Sequence, residues 1–161
     1  MKKGAANNKG RYFGLLVAII VIVFVGIFAW WQTSSNAPVL DLAKDYKVTI
    51  LRDEDELIQG LSGTKTLTTN HVMLFDFGSE DKWSIWMKDM YFAIDIIWLD
   101  SGGKVVHMVR NALPSSYIDD QNAKIFRPSQ NARYVIEAVS GTIEGTGIKN
   151  GDFVNLPSGA N

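Results

Sequence analysis

Residues 83–100, WSIWMKDMYFAIDIIWLD, gather most of the side chains in this 161-residue chain that could do chemistry. Strand alternation sets Trp86 and Lys88 on one face of the first half and Ile85, Met87 and Asp89 on the other. In the second half it puts Asp95 in phase with Ile97 and Leu99. A carboxylate among aliphatic side chains is costly to bury unless it is paired or hydrogen-bonded. Lys88 is its nearest candidate partner in sequence. The pair reads as an ion pair locking a hairpin or as a charged pocket beside Trp86. Asp89 and Asp95 could serve as the acid and base of a glycoside hydrolase, which needs two carboxyls roughly 5–9.5 Å apart. Trp83, Trp86 and Trp98 offer either a sugar-stacking face or core packing. Arg133 and Glu137, four apart on a strand, share a face and extend a polar site or solvate it. The candidate ligand-binding set is therefore Trp86, Lys88, Asp89, Asp95, Arg133 and Glu137.

Other chemistries are excluded by composition. The chain has no cysteine, so thiol nucleophiles, thiolate metal sites and disulfides are absent. His71 and His107 are the only imidazoles and fall on different expected strands. His107 is in phase with Val105 and Val109, as a hydrogen-bonded core histidine would be. No Gly-rich phosphate loop, Ser-His-Asp order or His-rich spacing occurs. No metal or cofactor is expected, and no residue is assigned a catalytic role.

The elements that must position these residues read as short strands. Residues 46–51, 71–77, 83–90, 94–99, 104–110, 134–139 and 152–156 are rich in β-branched and aromatic side chains. Turn signals separate them at residues 78–81, 101–103 and 150–151. Asp53 followed by Glu56 resembles a capping box, which predicts a short helix over residues 54–61. Gly147 is placed to cap a single helical turn, and residues 111–132 read as a long loop. The pattern predicts a mainly β fold, a small antiparallel β-sandwich or barrel-like domain with one or two short helices.

Residues 12–31, YFGLLVAIIVIVFVGIFAWW, carry no charge. As a helix at ~1.5 Å per residue they would span about 30 Å, the thickness of a bilayer's hydrocarbon core. Lys2, Lys3, Lys9 and Arg11 precede the run and the next positive residue is Lys44, which predicts a cytoplasmic N-terminus. A cleaved signal is the alternative, with Ser35-Asn36-Ala37 as its small-x-small site. The run exceeds the usual ~7–15 residues of such a signal and ends in two tryptophans, and Pro38 directly after the small-x-small site suits cleavage poorly, so an uncleaved anchor is expected. This divides the chain into a cytoplasmic basic tail (1–11), a transmembrane helix (12–31), a polar stalk (32–45), an extracytoplasmic β domain (46–156) and a tail (157–161). Beyond the anchor lie 12 basic and 17 acidic residues, a net charge of −5. That balance argues against a nucleic-acid partner.

Six short motifs carry a resemblance that runs through the outer domain. They are Gln59-Gly60-Leu61, Met73-Leu74-Phe75, Trp86-Met87-Lys88, Asp95-Ile96-Ile97, residues 132–137 (ARYVIE) and Gly147-Ile148 with Gly151-Asp152. In order and spacing they resemble the domain of unknown function 192 family, over roughly residues 46–156. The resemblance implies a small, mostly β bacterial or archaeal domain, often behind a signal or anchor segment, and no established reaction. The chain departs from the family pattern at Gln59 (usually arginine), Ser62 (methionine), Val72 (glycine) and Asp89 (asparagine). Three functions are compatible with these readings. The chain is a membrane-anchored binding or assembly module of the cell envelope recognising a glycan or a protein, an envelope hydrolase using Asp89 and Asp95, or a structural scaffold. Its expected partners are the lipid bilayer, through residues 12–31, and that envelope glycan or protein.

Overall fold

Every side chain of IDIIWL, residues 94–99, is buried. A strand with no exposed face must lie inside a sheet that is covered on both sides. The computed structural model, which describes residues 20–24 and 40–160, has that arrangement. The strand β4 (Ile94–Leu99) lies between β5 (Val105–Ala112) and β6 (Ala132–Val139). Beyond β6 follow β3 (His71–Asp81) and β2 (Lys47–Leu51), giving the order β2-β3-β6-β4-β5. All neighbours are antiparallel except β2 and β3, which run parallel. A parallel pair needs a crossover connection, and α2 (Glu54–Gln59) lies in it, close to the expected helix. A second, two-stranded sheet pairs β1 (Leu40–Asp41) with β7 (Val154–Asn155), also parallel.

The mainly β expectation therefore holds, but the architecture is mixed rather than antiparallel, and the main sheet is open, with β2 and β5 at its edges. Among residues 40–160 three α-helices of four to six residues accompany it: α1 (Leu42–Asp45), α2 and α3 (Thr142–Thr146). A 3-10 turn spans Pro114–Ser116. Gly147 ends α3 in the left-handed conformation, as its position predicted. Asp53 is the N-cap of α2 but makes no side-chain cap bond. Glu56 instead accepts from the Arg52 N–H at 3.4 Å.

Two expected elements change. Residues 83–90 are not a strand: only Ile85 bridges to another segment, at Phe126. β3 instead runs through the expected turn to Asp81, with a shift in its register against β6 after Asp76. Residues 40–45, expected in the stalk, form β1 and α1, and Leu42 is fully buried.

The sheet buries one core on each face. One joins Leu74, Ile97, Tyr134 and Ile136 to Leu42 of α1 and Ile143 of α3. The other joins Phe75, Ile96, Trp98 and Val135 to Leu51 and Leu61. Residues 38–161 form one compact unit. Of the expected transmembrane run only residues 20–24 are described, and they are helical. Among the described residues no helix is long and apolar enough to cross a membrane. The remainder of that run lies outside the described residues, as do the basic tail and residues 32–39.

Candidate functional site

Strand register decides which side chains meet on the second face. Glu137 on β6 stands opposite Met73 of β3 and Ile96 of β4, with Val135 two residues before it. These are apolar neighbours, and the Glu137 side chain rises from among them into a cavity of about 440 Å³. α2 and the turn after it supply one wall, with Leu57, Gly60 and Ser62. Residues 83–86 supply another, with Trp83 and Trp86, and Phe75 and Phe77 of β3 complete it. Trp83 stacks on Phe77 at 4.3 Å between ring centres. Gly60, with φ of 47°, lets the chain pass close over Phe75: a Cβ there would lie 2.9 Å from that ring.

Glu137 is 5% exposed. Among the described residues none forms an ion pair with it, and no fully enclosed side-chain atom lacks a hydrogen-bond partner. The carboxyl thus opens onto the cavity. Burial alone pushes its pKa up to about 8, so the acid is largely neutral at pH 7.

The nearby arginines do not neutralise it, because both are held by Asp76. Arg133 donates from Nε to Oδ1 of Asp76 at 3.0 Å, and Arg52 donates from Nε to Oδ2 at 3.2 Å. Burial pushes the Asp76 carboxyl up, but the bonds from Arg133, Gly78 and Arg52 outweigh it and leave the pKa below the ordinary value. Arg133 and Glu137 share a strand, as expected, yet Arg133 serves Asp76.

The anticipated Lys88–Asp95 pair is not made. Asp95 lies opposite Ala138 on β6, one register position from the Ile96–Glu137 pair, and so faces the other core. Its carboxylate accepts from the Asn111 N–H (2.9 Å), the Gly141 N–H (3.1 Å) and the Ile143 N–H (2.8 Å). It therefore ties the end of β5 to the start of α3. Lys88 donates instead to Asp120 at 3.2 Å, with its ammonium 5.5 Å from the Trp86 ring centre. Asp89 sits in a turn with φ of 54°, and its carbonyl accepts from the Gly63 N–H. With Asp95 buried under three backbone donors, the two carboxylates do not form a shared acid–base site.

The tryptophans divide. Trp98 is fully buried and donates from its ring N–H to the Trp83 carbonyl. Trp86, 41% exposed, lines the cavity. His107 packs half-buried beside Trp98, and His71 shares a hydrogen bond with Thr49. Of the six candidate residues the structure brings only Trp86 and Glu137 to one cavity. The α2 turn and the Phe75–Phe77 wall were missing from the sequence-based set. The available signal was an acid in phase with Val135 on a strand of apolar residues.

A family model, described as an uncharacterized conserved family, matches residues 39–156. The chain belongs to the DUF192 family. Gln59 and Ser62 both fall on the cavity wall. A UPF0127 protein of Thermococcus gammatolerans is 33% identical over 88 residues, covering 53% of this chain and 52% of that protein. The chain thus spans about half the length of the curated relative it matches. A solved Sinorhizobium meliloti chain, described as a candidate transcription regulator, is 29% identical with a TM-score of 0.61. The match covers 67% of this chain and 79% of that one. A Novosphingobium aromaticivorans protein of unknown function shares the fold at 23% identity and TM-score 0.60, covering 67% and 73%.

Proposed function

We propose that this DUF192 chain is a membrane-anchored, extracytoplasmic binding module of the cell envelope, without catalytic activity. Its ligand occupies the cavity above Glu137. The observation that carries the reading is that cavity: about 440 Å³, with aromatic and aliphatic walls and one buried carboxyl open to it. Sites for small ligands combine this size with mostly apolar walls and few polar anchors. The anchor is supported by the uncharged residues 12–31 and their one-sided basic flank. The Sinorhizobium chain's description points to nucleic acid, but the net charge of −5 beyond the anchor here opposes a polyanion.

Two measurements test the proposal. Protease added to intact cells should remove the domain, and protection until lysis would reverse the topology. Full-length protein purified from its own cells and denatured in ethanol should release a small envelope compound, identified by mass spectrometry. Ser62→Trp, which fills the cavity from its wall, should release none. Equal recovery from both proteins, or recovery from neither, would remove the cavity as the binding site.

A further inference from the structure

The cavity's polar groups are unevenly free. Gln59 donates its side-chain amide to the Ser62 carbonyl at 2.6 Å, and the Ser62 hydroxyl donates to the Lys88 carbonyl at 2.8 Å. The Trp83 ring N–H is taken by the Ser79 carbonyl at 3.0 Å. A sugar needs several hydrogen-bond partners at once, and this wall has spent most of its own. Beside these groups the wall holds Ser84 and the charged Arg52 and Glu54, while the buried acid Glu137 lies at the floor among aromatic rings. Aromatic faces are the negative pole of their rings and attract cations, most strongly where water is excluded. A buried acid without a counter-charge has the same preference.

We infer that the cavity takes a small organic ammonium compound, its cationic head on the Glu137 carboxylate and its alkyl groups against Trp83, Trp86 and Phe75. The inference rests on the cavity being the binding site, as proposed above. Binding transfers one proton: the neutral Glu137 acid gives its proton to bulk water, and the carboxylate left behind pairs with the ammonium. Among the described residues no cation pairs with Glu137. Arg52, on the cavity's wall, gives N–H bonds to Asp76 and to the Gly159 carbonyl, and Lys88 is paired with Asp120. The other charged or titratable groups around Glu137 are Glu54 on the α2 wall, Arg133 on β6 and His71 on β3, two residues before Met73. Of these Arg133 is held by Asp76 and His71 by Thr49, while Glu54 adds a second negative charge at the rim. β4 contributes Ile94, Ile96 and Trp98 to this face, none of them titratable.

The test titrates full-length protein in detergent with choline and with its uncharged isostere, 3,3-dimethylbutan-1-ol. Binding is followed by tryptophan fluorescence and calorimetry from pH 6 to 9. Choline should bind at least tenfold more tightly than the isostere. Its affinity should rise about tenfold from pH 6 to pH 7 and level off above about pH 8, with one proton released per choline bound at the low end. Glu137→Gln should abolish both the preference for charge and the pH dependence. An isostere that binds as well as choline, a flat pH profile, or an unchanged preference in Glu137→Gln would overturn the inference. So would tighter binding of N-acetylglucosamine than of choline, although that result would leave the cavity as a binding site. Absence of binding by all three probes also overturns it, while the ethanol-release comparison of Ser62→Trp decides separately whether the cavity holds any ligand.

Discussion

Asp95 and Glu137 lie on neighbouring strands at adjacent register positions and are both at least 95% buried, yet their chemistry is opposite. Asp95 accepts three backbone N–H bonds, so its loss strands donors at the end of β5 and the start of α3. Asp95→Ala should destabilise the protein by about 3–5 kcal/mol, since each buried group left unpaired costs about 1–3 kcal/mol. Lys88→Ala, which breaks a solvent-screened pair with Asp120, should leave stability nearly unchanged. A double-mutant cycle by chemical denaturation should find a coupling near zero between Lys88 and Asp95. Among the described residues Glu137 has no such partners, and its pKa of about 8 in the folded state compares with about 4.3 in an unfolded chain. Between those values the native state holds a proton that the unfolded state has lost. Stability should therefore be highest below about pH 4.3 as far as this group is concerned. It should fall by up to about 1.4 kcal/mol per pH unit as pH rises, and level off above about pH 8. Glu137→Gln should remove that slope in denaturation series at pH 5, 6.5 and 8.

At the scale of elements, β7 is held by a close approach that only glycine permits. Gly103 has φ of 79°, and a Cβ there would lie 2.7 Å from the Val154 carbonyl oxygen, to which it would be opposed by backbone rather than a yielding side chain. The Val154 N–H donates to the Gly103 carbonyl, and the Val105 N–H donates to the Asp152 carbonyl, so β7 and the start of β5 are stitched together there. Gly141 also has a positive φ, 96°, but nothing lies within 4 Å of its added Cβ. Gly141→Ala should therefore cost only the backbone strain of about 1–2 kcal/mol. Gly103→Ala should cost more and should raise amide exchange selectively around Val154. Equal melting temperatures for the two variants would refute the steric argument.

For the whole molecule, the compact unit begins near residue 38, earlier than strand patterns suggest. Leu42 and Ala160 are both fully buried, and the Tyr134 hydroxyl donates to the Ala160 carbonyl. A fragment of residues 38–161 should unfold cooperatively with the circular dichroism of a β-rich protein. A fragment of residues 46–156 lacks Leu42, Ala160 and the β1 partner of β7. It should be less stable by at least about 2–5 kcal/mol, the usual cost of deleting one large buried aliphatic side chain. Thermal melting of the two fragments side by side measures the difference.

The sequence by itself determined the family, the strand-rich composition and the positions of β2, β4, β5 and β6, because alternating and β-branched runs report local burial. It also singled out Asp95 correctly as an acid that burial would force to find partners. It could not say that those partners are the N–H groups of Asn111, Gly141 and Ile143, since the nearest is 16 residues away in the chain. Residues 83–90 have a strand's composition but contribute Trp83 and Trp86 to a cavity wall, because β3 runs on to Asp81 and occupies the place beside β6. The parallel pairing of β2 with β3 leaves no trace in either strand's pattern. That pairing carries α2 across the sheet and roofs Glu137. Only the tertiary structure decided that Asp95 is satisfied by backbone donors while Glu137 faces the cavity, because register, not residue type, sets the face of the sheet on which each one lies.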